Sequence, residues 1–129
     1  MTRHRLPWIV AIGGASVVLG MLLVMSLTTE PMLSDEAYRK IAQETTEARL
    51  FLKKYPQATV TVDRSGALAV DFRVNAFAPT ASSRVPPYLR LRVFIGPQNR
   101  PTLRFLDCQG RLIVKDLLDY LRTETCLSP

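Results

Sequence analysis

The residues with the most chemistry to offer are two cysteines, Cys108 and Cys126, near the C-terminal end of the chain. In an oxidising compartment such a pair forms a disulfide. Closing a loop of about 18 residues contributes about 3 kcal/mol in the chain-entropy account. Two free thiols, a mixed disulfide and a metal site are the other states open to them, the last needing further ligands. The single histidine, His4, stands at the N-terminal tip. The C-terminal part of the chain therefore holds no Ser-His-Asp or Cys-His arrangement and no histidine-based zinc site.

Carboxylates are the next candidates. Asp35, Glu36, Glu44, Glu47, Asp63, Asp71, Asp107, Asp116, Asp119 and Glu124 are scattered over different segments, and no spacing singles out an acid–base pair. Gly66, Gly96 and Gly110 each fall at a turn, so no glycine-rich phosphate loop is present. Asp63-Arg64-Ser65-Gly66 lacks the further acidic positions of a calcium loop. No enzyme, cofactor or metal is expected from these residues.

Arginines give the one pattern with functional colour. Arg73, Arg90, Arg92 and Arg104 occupy the non-core register of strands expected to be neighbours, with Asp71 as the nearby counter-charge. Together they form a basic stripe for anionic lipid headgroups, surface polysaccharide or an acidic protein partner. The plainer alternative is a solvated face whose arginine stems cover apolar surface. On either reading these side chains point away from the core, and reversing Arg90 and Arg92 to Glu is expected to leave the fold intact. Nucleic acid is not expected, because no aromatic platform is interleaved with the arginines.

The elements that must position these residues begin with a long apolar run. From Leu6 to Leu27 there is no charged residue, and about 22 residues of helix reach roughly 33 Å, enough to cross a bilayer core. Arg3 and Arg5 precede the run and Glu30 follows it. The basic flank stays on the cytoplasmic side. The expected organisation is a cytosolic tip over 1–6, a transmembrane helix over 7–28, a linker over 29–33 and an extracytoplasmic domain over 34–129. The lipid bilayer is thus the first expected partner. A cleaved signal peptide is the rival reading, but the run exceeds the usual apolar core and Met25-Ser26-Leu27-Thr28 makes a poor cleavage site. Within the span, Gly13, Ser16 and Gly20 are small residues on which another helix could pack closely.

Beyond the span, Ser34 reads as a helix N-cap with Asp35 and Glu36 in the first turn. Tyr38, Ile41, Ala42, Thr45, Ala48, Leu52 and Tyr55 follow at steps of three and four, the stripe of one amphipathic helix that Pro56 ends. Period two takes over in QATVTVD and ALAVDFRVN, a hairpin about Asp63–Gly66. Residues 76–87 form a loop rich in Ala, Ser and Pro. YLRLRVFI is a third strand with Leu89, Leu91, Val93 and Ile95 on one face, and TLRFLDC is a fourth with Leu103 and Phe105 set against Arg104. Val114, Leu117, Leu118 and Leu121 then describe a second helix. The expected fold is α+β: a helix, a four-stranded antiparallel sheet and a C-terminal helix, both helices on one face and the other face polar.

This α-β-β-β-β-α order, with Phe51-Leu52-Lys53-Lys54-Tyr55-Pro56 leading into a strand, resembles the small PepSY and cystatin-like domains. The basic tip, the span, the FLKKYP phrase and the closing cysteines are similar to those of uncharacterised single-pass membrane proteins of ammonia-oxidising archaea. The resemblance implies a small external domain and no activity. The sequence thus points to a membrane-anchored extracytoplasmic binding or accessory domain, with a structural subunit of a larger membrane complex as the alternative and an enzyme as the third.

Overall fold

The computed structural model describes residues 30–76 and 86–127. The expected span over 7–28, with Gly13, Ser16 and Gly20, lies outside the described residues. Among the described residues no helix is long and apolar enough to cross a membrane. The chain divides into two units between Met32 and Leu33, and the fold is that of the second.

The N-terminal amphipathic segment is two helices, α1 (Asp35–Gln43) and α2 (Thr46–Lys54). Ser34 caps the first, its hydroxyl accepting from the Ala37 amide, and Thr45 caps the second by accepting from the Ala48 amide. The single helix expected here is therefore corrected. Thr45 bonds its neighbours' backbone in an extended conformation, as threonine at a cap does. The break also shifts the helical phase. Phe51 is fully buried, whereas Leu52 and Tyr55 of the expected stripe are only half-buried.

Five strands follow: β1 (Thr59–Asp63), β2 (Ala69–Asn75), β3 (Tyr88–Gly96), β4 (Arg100–Cys108) and β5 (Arg111–Ile113). They form one antiparallel meander in the order β1-β2-β3-β4-β5. Four strands were expected, and the fifth is the short arm of a hairpin turned by Gln109 and Gly110. Both of these residues have positive φ, at 52° and 92°, the pattern of the two-residue turn that matches strand twist. Gly96 ends β3 where the Thr102 side chain leaves no room for a Cβ. The last helix, α3 (Leu117–Thr123), starts later than the sequence pattern implied, and Val114 stands exposed outside it.

Val70, Phe72, Val74, Leu89, Leu91, Val93, Ile95 and Leu106 line one sheet face. They form a single core with Tyr38, Ala42, Ala48, Phe51, Leu117 and Leu121 of the helices. All three helices therefore cover the same face, as amphipathic elements with one apolar stripe each require. Phe51 meets Phe72 at 6.4 Å between ring centroids, joining α2 to the sheet. The expected disulfide is present: Cys108 and Cys126 are bonded, with 5.8 Å between Cα atoms. It fixes the segment after α3 to the end of β4.

Candidate functional site

The face of the sheet turned away from the helices is the candidate site. Strand pairing sets Arg73 opposite Arg90, Asp71 opposite Arg92, and Arg90 opposite Asp107. Those residues alternate with the buried Leu89, Leu91 and Val93, so they stand on the uncovered face. Three of the four arginines singled out by the sequence are thus brought together.

The fourth is not. Arg104 pairs across from Val93, on the helix side, and its Nε lies 3.1 Å from the Glu47 carboxylate of α2. The expected stripe is corrected by one residue along β4. Phe105 and Leu106 are adjacent apolar residues, so alternation alone leaves two registers open. Leu106 wins the core position opposite Leu91, and Cys108 faces the segment that carries Cys126. Phe105 consequently sits on the uncovered face, where it was expected in the core, and Leu103 lies where the ladder shifts register between Val93 and Ile95. Leu103 is 60% exposed.

The remaining arginines are not a free basic stripe. Arg92 donates to both oxygens of Asp71, at 2.7 and 2.6 Å, and to Asp63 at 2.7 Å. Arg90 donates to Asp107 at 2.9 Å and stands 3.8 Å from Asp71. Asp107 is 4% exposed and also accepts from the Tyr88 hydroxyl and the Gly110 amide. Arg73 stacks over the Tyr88 ring, 4.3 Å from its centroid, and donates to Asn75. Three carboxylates face three guanidiniums, so the lattice is neutral within itself. Asp71 was read as the nearby counter-charge; Asp63 and Asp107 share that role.

Local bonding tunes two of these groups. The Ser65 hydroxyl and amide donate to Asp63, and with Arg92 they lower its pKa from 3.8 to about 2. Hydrogen bonds to Asp71 raise Arg92 above its ordinary value against the opposing effect of burial. Asp63 and Arg92 are therefore both charged across physiological pH. The groups of the lattice are engaged with each other, leaving none placed as a free acid or base.

Beside this lattice runs an apolar strip. Phe94 and Phe105 lie 6.0 Å apart between centroids. Leu112, opposite Asp107, is 60% exposed. A polar face was expected here, and part of it is apolar. The signal was present in YLRLRVFI, where Tyr88, Arg90, Arg92 and Phe94 share a parity; the adjacent Phe105-Leu106 pair hid the rest.

A second cluster ties the C-terminal segment down. The Glu124 carboxylate, 1% exposed, is 3.0 Å from the Lys54 ammonium and accepts from the Tyr55 hydroxyl and the Cys126 amide. The FLKKYP phrase thus supplies a clasp for the disulfide-bearing segment. Among the described residues no group of three or more His, Cys, Asp and Glu residues is placed to hold a metal ion. Comparison with protein-family models, curated proteins and solved structures gives no match to this chain.

Proposed function

We propose that this protein is a membrane-tethered, extracytoplasmic binding domain without catalytic activity, and that the uncovered sheet face receives a protein partner. One observation carries the reading. An apolar strip of the half-buried Phe94 and Phe105 and the exposed Leu112 lies beside a lattice of ion pairs that is already neutralised. Exposed apolar groups rimmed by fixed polar ones are the composition of a protein-docking surface. A free anion or anionic lipid surface would find its arginines already engaged by Asp63, Asp71 and Asp107, so a protein partner fits this face better than a purely electrostatic ligand. The tether follows from the apolar run over 7–28 and its basic flank.

The test is affinity purification of the detergent-solubilised full chain with mass spectrometry. A Phe105→Lys, Leu112→Lys variant is expected to lose copurifying proteins while retaining the disulfide and the far-ultraviolet spectrum. Unchanged copurification would refute docking on this face, and stoichiometric membrane proteins retained by the variant would favour a subunit packed through Gly13, Ser16 and Gly20. Protease added to intact cells is expected to degrade the domain, and complete protection would overturn the orientation.

A further inference from the structure

β4 has nine residues and β5 only three, which pair with Leu106, Asp107 and Cys108. Among the described residues, the outer edge of β4 from Arg100 to Phe105 therefore has no neighbouring strand. The direction of its backbone groups follows from the ladder. The Gln109 amide donates to the Tyr88 carbonyl, which makes that pair a hydrogen-bonded one. In an antiparallel ladder such pairs alternate with pairs whose amides and carbonyls point outward. Phe105, opposite Arg92, directs its groups to β3, whereas Arg104, opposite Val93, directs its amide and carbonyl to the open edge.

A cleft of about 520 Å³ runs alongside this edge, lined by Thr102, Leu103 and Arg104 of β4 with Val114, Leu118 and Glu47 among its other walls. Val114 is 59% exposed. The charged side chains of the cleft are Glu47, Asp116, Asp119, Arg104 and Arg122, an acidic excess in a chain whose net charge is +6. Arg104 engages Glu47 and Arg122 engages Asp119, which leaves Asp116 as the uncompensated carboxylate of that set.

We propose that this edge and cleft form a strand-addition site for an extended segment of a partner protein carrying an apolar side chain next to a lysine or arginine. The segment continues the row that β5 vacates at Val114 and bonds the outward groups of Arg104. Alternate side chains then enter the cleft, with the basic residue meeting Asp116. Main-chain bonds supply affinity in this mode, and alternating pockets supply selectivity. The inference rests on the binding reading above but uses a different surface.

A displayed library of short random linear peptides, selected against the full chain in lipid nanodiscs, tests it. Enriched peptides are expected to combine an apolar residue with Lys or Arg, and to slow hydrogen exchange of the Arg104 amide. Val114→Arg, at an exposed position where the fold is retained, is expected to weaken them roughly tenfold or more by filling the cleft. Asp116 sits at φ 52°, which asparagine also tolerates. Asp116→Asn is therefore expected to weaken binding roughly two- to fivefold and to remove the basic preference. Leu112→Lys, on the sheet face, is expected to change nothing here. Absence of enriched peptides, or binding that leaves the Arg104 amide unchanged, overturns the proposal. Peptides sensitive to Leu112→Lys but not to Val114→Arg overturn it while sparing the sheet-face reading. Arg104 protection that rises with protein concentration without peptide would make a second copy the occupant and overturn the peptide assignment.

Discussion

Replacing Arg92 with methionine removes the hub of the ion-pair lattice while keeping a long apolar stem. The Arg92 side chain is 20% exposed and Asp71 is 12% exposed, with two hydrogen bonds between them. Exposed ion pairs are worth about 0.2–1 kcal/mol, whereas breaking a buried pair costs about 3–5 kcal/mol because a charge is stranded. The pair lies between these limits, and a loss of about 2 kcal/mol is expected. For a domain of about 100 residues that lowers the melting temperature by roughly 8–16 °C. Thermal unfolding of the full chain followed by circular dichroism measures it. An Arg92→Met, Asp71→Leu double variant is expected to recover at least half of the loss, since the more buried carboxylate goes with its partner and the charge left behind, Asp63, is 29% exposed and still held by Ser65. A fall of under about 3 °C in the single variant would mean that the lattice behaves as an ordinary exposed pair and would refute the reasoning. Reversing both Arg90 and Arg92 to Glu, harmless on the sequence pattern alone, should abolish folding by crowding five carboxylates together.

Three further outcomes are expected. Cys126→Ser should destabilise the domain by about 3 kcal/mol through the loss of a cross-link between residues 18 apart, and unreduced protein should yield a linked Cys108–Cys126 peptide by mass spectrometry. Asp63 binds fewer protons folded than unfolded between pH about 2 and 3.8, so its contribution is present above the unfolded value and fades as pH falls toward 2; Asp63→Asn should flatten the stability–pH curve in that window, as read by urea titration. Gly110→Val places a β-branched residue at φ 92°, and should cost on the order of 1–3 kcal/mol and detach β5, seen as faster amide exchange at Ile113.

The sequence by itself determined the class and most of the element order. Period-two runs bounded by turn residues specify strands wherever one face is buried, and Val70, Phe72, Leu89, Leu91 and Val93 all lie in the core on that basis. The capping Ser34 and the terminating Pro56 bracketed the helical region correctly. Two cysteines without a histidine partner pointed to the disulfide. Local signals stopped at choices that depend on distant neighbours. Whether Thr45 continues a helix or caps a new one is decided by where Phe51 meets Phe72. Whether Phe105 or Leu106 faces inward is decided by Leu91 across the ladder and by the bond from Cys108 to Cys126. That single register choice moved Arg104 to Glu47 and put Phe105 on the uncovered face. The arginine pattern was legible, but its neutralisation was not, because Asp63, Asp71 and Asp107 come from three different strands. Only the tertiary fold brings charges so separated in sequence within hydrogen-bonding distance, and their Coulomb energy depends on that distance and on burial, neither of which is written in residue order.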